Sequence, residues 1–252
     1  MTHSDAPIQL EGHGCYLVYA PQLLEKPAAS FLSHDVFEQA KSYEPVSHGG
    51  RGKAWFIELP EISAVLRSYQ RGGLVARFNR QAYLGWSPES SRAYKEWYLL
   101  QNLYQQGLPV PRPVAASICR WPFAFIPLYR AHILIERIPD VKTFDHMLSK
   151  AVASDELWRS VGACIRRFHD AGVYHADLNA NNILIDDQQK VYLIDFDKGE
   201  IRNSQNTSSS EEWKRGNLQR LKRSLLKQQT LYPEYYFSED NWMNLLSGYA
   251  GS

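Results

Sequence analysis

Residues 174–196 read Tyr174-His175-Ala176-Asp177-Leu178-Asn179-Ala180-Asn181-Asn182-Ile183-Leu184-Ile185, then Asp186-Asp187-Gln188-Gln189 and Lys190, then Val191-Tyr192-Leu193-Ile194-Asp195-Phe196. Two short apolar runs around a polar turn predict a hairpin. Asp177 and Asp195 bracket it, eighteen positions apart, enough for a loop, a strand, a turn and a second strand. Asp177 is a residue type that accepts a hydrogen bond from an alcohol and takes its proton, typically worth about 10²–10⁴-fold in rate. Asn182 and Asp195 offer hard oxygens, which suit Mg²⁺ held jointly with phosphates. Any one of these residues alone reads as a turn former; their order carries the signal.

That order is H-R-D-L-x-x-x-N followed by D-F-G, the pattern of protein-kinase-like phosphotransferases. His175, Asp177, Leu178 and Asn182 match its first half, Asp195 and Phe196 its second. Phosphoryl transfer asks a protein mainly for positioning and charge stabilisation. Asp177 is therefore the expected catalytic base, Asn182 and Asp195 the expected metal ligands, and His175 a brace beneath Phe196. Upstream, Gly49-Gly50-Arg51-Gly52-Lys53 precedes the apolar run Ala54-Trp55-Phe56-Ile57, so Gly50 and Gly52 are expected in a phosphate-covering turn. The third glycine of G-x-G-x-x-G is replaced by Trp55. Arg67, within Ala64-Val65-Leu66-Arg67-Ser68-Tyr69, stands where a kinase places its lysine; its planar fork can clamp phosphate oxygens. Arg71-Gly72-Gly73 predicts a turn leading to Leu74-Val75-Ala76 as the second arm of a hairpin. A helix is expected over 90–106, with Trp97, Leu100 and Tyr104 at helical spacing and Gly107 as its stop. Glu96 within it is the expected partner of Arg67.

Leu108-Pro109-Val110-Pro111-Arg112-Pro113-Val114 reads as an extended connector. Residues 133–138 read as a buried strand ending in a hinge, where backbone groups from Glu136 to Ile138 meet the adenine edge. A helix over 155–171, capped by Ser154, carries the stripe Leu157, Val161, Cys164 and Phe168 to Gly172 and the catalytic loop. The expected fold is thus α+β and bilobal. Residues 1–138 form a nucleotide-covering, antiparallel-sheet lobe and 139–252 a mainly helical catalytic lobe, working as one unit.

Bulk properties narrow the function. A net charge of +1 gives no general pull toward nucleic acid. Cys15, Cys119 and Cys164 are scattered and odd in number, which fits a reducing compartment, and they show no metal or redox spacing. Met1 to Glu11 is polar and mixed, so no signal peptide is expected, and no apolar stretch approaches a membrane span. Only 57 residues follow Asp195 and no A-P-E element appears among them, which argues against a peptide substrate and for a small-molecule or glycan hydroxyl. Residues 211–229 read as a basic amphipathic helix, with Trp213, Leu218, Leu221 and Leu225 as its apolar members, of the kind that lies on anionic lipid. The loop Trp121-Pro122-Phe123-Ala124-Phe125-Ile126-Pro127 is a second candidate for lipid contact.

From about residue 48 onward the chain resembles the 3-deoxy-D-manno-octulosonic acid (Kdo) kinases of Gram-negative lipopolysaccharide assembly, relatives of the inner-core heptose kinases. The likeness runs through Gly50-Arg51-Gly52, Val65-Leu66-Arg67, Arg71-Gly72-Gly73-Leu74-Val75, Glu96-Trp97 and Gly107 to Pro113. It continues through Ile135-Glu136-Arg137-Ile138, His175 to Asn179, Ile194-Asp195-Phe196-Asp197 and the basic helix beyond Trp213. The resemblance implies ATP-dependent, Mg²⁺-assisted phosphorylation of the Kdo 4-hydroxyl on a lipid A precursor, at the cytoplasmic face of the inner membrane. It leaves the oligomeric state open. Against the general kinase pattern, Asp197 replaces the glycine of D-F-G, and Asn179 stands in place of a lysine that neutralises the transferred phosphate; Lys198 is a substitute donor of charge. A heptose or other small-sugar kinase on the same fold is the first alternative. A pseudokinase scaffold is the second, resting on Arg67 and the missing third glycine.

Overall fold

The computed structural model describes residues 6–33, 35–46, 54–69, 83–84, 88–120, 128–202 and 207–251. The chain forms a mixed α+β structure divided into two compact units, one of Met1–Gln101 with Arg112–Arg137, the other of Asn102–Pro111 with Ile138–Ser252.

The first unit contains β1 (Ile8–Gly12), β2 (Cys15–Tyr19), α1 (Val36–Gln39), β3 (Ser42–Pro45), β4 (Ala54–Glu58), β5 (Ser63–Ser68), β6 (Tyr83–Leu84), most of α2 (Arg92–Gln105), β7 (Pro113–Arg120) and β8 (Leu128–Glu136). Among the described residues these strands make one antiparallel sheet in the order β1-β2-β7-β8-β5-β4-β3, with β6 also on β8. The segment before residue 46, which the sequence left nearly blank, supplies one edge of this sheet and much of its core. Leu17, Tyr19, Leu24, Phe31, Leu32 and Val36 pack with Ile57, Leu66 and Leu134. Pro113 opens β7, the strand position that proline tolerates. The second arm of the expected 64–76 hairpin lies outside the described residues. Both edges of β5 are filled, by β4 and β8. In α2 the buried side is Trp97, Leu100 and Leu103, whereas Tyr104 is exposed; the helical period admits either 103 or 104 after Leu100, and packing selects Leu103.

The reading of the cysteines is corrected. Cys15 and Cys119 face each other in register across β2 and β7 and are joined by a disulfide. They stand 104 positions apart, so only strand register, which spacing does not reveal, brings them together. Cys164 alone is free, and burial pushes its thiol up to about 12.

The second unit contains β9 (Val141–Thr143), α3 (Phe144–Leu148), α4 (Asp155–Asp170), β10 (Val173–Tyr174), β11 (Ile183–Asp186), β12 (Val191–Leu193), β13 (Glu200–Ile201), α5 (Thr207–Leu231) and α6 (Glu239–Ala250). The β11–β12 hairpin is the apolar pair read from the sequence, and β9 extends it. The connector lies alongside it, Pro109 O accepting from Leu193 N at 3.0 Å. Ser154 caps α4, its Oγ accepting from Leu157 N, and Leu157, Val161, Cys164 and Phe168 are all buried. On α5 the four apolar members, Trp213, Leu218, Leu221 and Leu225, are buried as well. That helix therefore has a packed apolar stripe and a solvated basic face, and its stripe is not available to lipid. The loop 121–127 lies outside the described residues. Among the described residues no helix is long and apolar enough to cross a membrane.

Helices α4 and α6 meet backbone to backbone. A Cβ at Gly162 would stand 1.9 Å from Leu245 O, and one at Gly248 2.0 Å from Arg159 O. Gly162→Ala and Gly248→Ala are each expected to lower stability by roughly 1–3 kcal/mol or more, as overpacking does. Urea denaturation of the two variants checks this; a midpoint unchanged from wild type would contradict the close approach.

Candidate active site

The candidate catalytic loop begins where α4 ends. Gly172, with φ of 73°, turns the chain so closely past Arg202 that a Cβ would sit 2.5 Å from its carbonyl oxygen. The chain then enters β10, which pairs with β13, and reaches His175. This histidine is buried and uses both ring nitrogens. Nδ1 accepts from Asp177 N at 3.2 Å, and Nε2–H donates to Ile194 O at 2.9 Å. One acceptor and one donor define a neutral imidazole with its proton on Nε2. Burial drives its pKa below the ordinary value, against the opposing pull of the Ile194 carbonyl and of the Asp195 and Asp177 carboxylates. The ring packs 4.8 Å from that of Phe196, which stacks on Phe168 of α4 at 5.7 Å. One side chain thus ties the loop at residue 177 to the strand end at residue 194.

Asp177 turns its carboxylate to solvent while its backbone is fastened. Its carbonyl oxygen accepts from Asn182 Nδ2 at 2.8 Å and from Asn179 Nδ2 at 3.0 Å. Asn179 also caps the single 3₁₀ turn Ala180–Asn182 through Asn181 N. Asn182 is buried, and with its Nδ2 committed to Asp177, its Oδ1 receives no donor among the described residues. Asn182 O accepts from Ile194 N at 3.0 Å, which places Asp195 directly after the strand residue bonded to Asn182. Asp195 has φ of 64°. Left-handed backbone at a non-glycine residue costs of order 1–3 kcal/mol and concentrates at functional sites. The structure therefore brings Asp177, Asn182 and Asp195 together. Phe196 and Gly199 close a tight turn, on which Asp197 is half-buried and Lys198 exposed.

A further residue holds this loop from below. Asn217 of α5 is 1% exposed. Its Nδ2 donates to His175 O at 3.0 Å, and its Oδ1 accepts from His175 N at 3.2 Å. The same Oδ1 lies 3.3 Å from His169 Nε2, and His169 Nδ1 lies 2.8 Å from Tyr249 OH of α6. Three helices thereby converge on the backbone of one loop residue. The sequence did carry a signal for this: Asn217 falls four residues after Trp213 and four before Leu221, a polar side chain inside the apolar stripe. Beside it, Arg220 Nη1 lies 3.8 Å from Asp177 Oδ1.

In the first unit, Arg67 and Glu96 meet. Arg67 Nη1 is 2.9 Å from Glu96 Oε1, and Tyr69 OH donates to Glu96 Oε2. Glu96 is 2% exposed, and a buried carboxylate with two donors is held in one place. Tyr69 was not singled out from sequence, although it lies two residues past Arg67. Glu136 ends β8, and its N–H donates to Arg112 O, as Arg137 N–H does to Ser63 O, both at 2.8 Å. Ile138 is then the first residue past the strand whose N–H makes no hydrogen bond among the described residues. Gly50 and Gly52 lie outside the described residues.

The chain is similar to known proteins. Residues 37–249 match the profile of the lipopolysaccharide kinase (Kdo/WaaP) family. A 3-deoxy-D-manno-octulosonic acid kinase of Vibrio cholerae serotype O1 is 43% identical over 181 residues, spanning 71% of this chain and 72% of that protein. One from Mannheimia succiniciproducens is 42% identical over 231 residues, spanning 89% and 92%. One from Xylella fastidiosa is 44% identical over 183 residues, spanning 73% and 70%.

The histidine beneath the loop sets a pH dependence of stability. Burial lowers the His169 pKa to about 4, while an unfolded histidine titrates near 6.5. Between those values the unfolded chain binds a proton that the native chain refuses. Stability is therefore complete above about pH 6.5 and falls on acidification toward pH 4, by up to about 1.4 kcal/mol per pH unit for this group. Denaturant titrations across that range should show the fall, and His169→Gln should lessen it, leaving the share of His175, whose pKa burial also lowers; an unchanged slope would mean that His169 is solvated.

Proposed function

The chain belongs to the lipopolysaccharide kinase (Kdo/WaaP) family, and from that premise we propose that it transfers the γ-phosphoryl group of ATP to a hydroxyl of Kdo on a lipid A precursor during inner-core assembly. It is a phosphotransferase with an alcohol acceptor, and the resemblance points to the 4-hydroxyl. The observation that carries this reading is the loop itself. Asp177 projects into solvent from a backbone fixed through His175, Asn179 and Asn182, as a general base must be if it is to meet its substrate in one orientation.

In this reading Asp177 orients the acceptor hydroxyl and takes its proton as the new O–P bond forms and ADP leaves. Asn182 Oδ1 and Asp195 are the protein's oxygens for Mg²⁺. Among the described residues no three His, Cys, Asp or Glu side chains gather as a metal group. Two protein oxygens completed by phosphates are the share a protein ordinarily gives to this ion. When bound, Mg²⁺ neutralises charge on the transferring phosphates. Arg67, held by Glu96, serves the nucleotide phosphates in place of a lysine, and the Ile138 N–H beyond Glu136 serves the adenine edge. The two units then act as the sheet lobe and the catalytic lobe of a bilobal kinase, with residues 102–111 and 138 falling in the catalytic unit and not in the expected 1–138 lobe. The same reading locates the enzyme at the cytoplasmic face of the inner membrane, with exposed basic residues of α5 such as Arg215 and Lys227 toward anionic lipid.

The test is transfer of labelled phosphate from ATP to Kdo–lipid A precursor. Asp177→Ala should lower the rate by about 10²–10⁴-fold with nucleotide binding near normal, and Asp195→Ala should weaken Mg²⁺–nucleotide binding as well. Full turnover by Asp177→Ala would overturn the catalytic assignment. Turnover on a heptose-bearing acceptor and none on Kdo would overturn the acceptor.

A further inference from the structure

We infer that the pocket between α5 and the β10–β13 ribbon is the acceptor's anion subsite, where an oxyanion of the sugar lipid is held by Arg220 and Arg223. The inference rests on Asp177 being the base of the proposed kinase. It extends that proposal by naming what holds the acceptor beside it.

The pocket has a volume of about 390 Å³, and its walls include Tyr174, Arg202, Glu212, Gly216, Arg220 and Arg223, a size within the range of small-ligand sites, roughly 300–1,000 Å³. Three guanidinium groups face one carboxylate. They are not equivalent. Arg202 is already engaged: its side chain binds Glu200 at 2.6 Å and lies 3.6 Å over the Tyr174 ring, making a fixed wall. Among the described residues Arg220 has only the loose 3.8 Å approach to Asp177. Arg223 is exposed and has no acidic partner among the described residues. The pocket therefore keeps an excess of positive charge on two arginines of one helix face, three residues apart, at a spacing that places them side by side. Paired planar forks of this kind suit carboxylates and phosphates.

Position supplies the second argument. Arg220 belongs both to the pocket wall and to the surroundings of Asp177. An oxyanion seated on Arg220 and Arg223 is then within one sugar's reach of the base, and it draws Arg220 away from Asp177. Kdo is by its chemistry an acid, ionised at neutral pH, and its carboxylate lies on the same ring as its hydroxyls.

Gly216 supplies the third. Glycine inside a helix costs about 1 kcal/mol relative to alanine, and it commonly marks a close approach of another backbone. Here a Cβ would meet nothing within 4 Å among the described residues, so no packing among them requires the glycine. What a side chain there would occupy is the pocket.

The experiment measures acceptor and ATP kinetics for wild type, Arg223→Gln, Gly216→Leu and Lys190→Gln, the last removing an exposed charge of the β11–β12 turn that does not line the pocket. Arg223→Gln should raise the acceptor KM about tenfold or more with the ATP KM unchanged. Gly216→Leu should do the same while its denaturation midpoint stays at or above that of wild type. Lys190→Gln should match wild type. Two altered acceptors identify the oxyanion. If it is the carboxylate, the Kdo methyl ester is a poor acceptor for wild type and Arg223→Gln adds no further loss. If it is a lipid A phosphate, the dephosphorylated acceptor behaves that way instead. An unchanged acceptor KM in both pocket variants, with wild type active, would overturn the subsite alone. Absence of transfer by wild type would overturn the kinase reading beneath it.

Discussion

The structure of the second unit depends on a neutral imidazole. His175 accepts one backbone N–H from the catalytic loop and donates to one backbone carbonyl at the end of β12's extension, a combination that only an uncharged histidine with its proton on Nε2 satisfies. Protonation would turn Nδ1 into a donor facing Asp177 N–H and would place a charge in an apolar layer of Phe196 and Phe168. The buried position enforces the neutral form. This ring ties the loop of Asp177 to the strand end just before Asp195, and Asn182 bonds to both segments.

The ring is itself held. Asn217 closes a pair of hydrogen bonds on the His175 backbone and reaches His169 and Tyr249 behind it. Buried polar groups of this kind are costly unless fully paired. The consequence is a loop whose position is coupled to the packing of α4, α5 and α6, the last two lying beyond Asp195 in sequence. Helices α5 and α6 thus support the candidate catalytic loop, and the outer face of α5 adds Arg220 beside Asp177.

Much of this was legible in the sequence because local chemistry fixed it. The 183–194 hairpin, the Ser154 cap, the stripe of α4 and the set Asp177, Asn182 and Asp195 are short-range patterns, and Glu96 was found by element order. What escaped needed long-range register or packing. The disulfide joins strands distant in sequence. The N-terminal strands carry too little alternation to stand out, yet they complete a sheet edge. The apolar residues of α5 looked available to lipid, because periodicity reports a buried face without saying what buries it. Asn217 was visible only as an exception inside that stripe, and Tyr69 only once Glu96 was seen to need a second donor.

The most direct test of this account is the ¹⁵N NMR signature of the His175 ring. The account predicts the neutral tautomer protonated at Nε2, with no titration near the ordinary histidine value of about 6.5, and a hydrogen-bond coupling across to the Ile194 carbonyl. A ring that titrates freely near that pH, or one protonated at Nδ1, would contradict it, because the loop carrying Asp177 would then be held by something else.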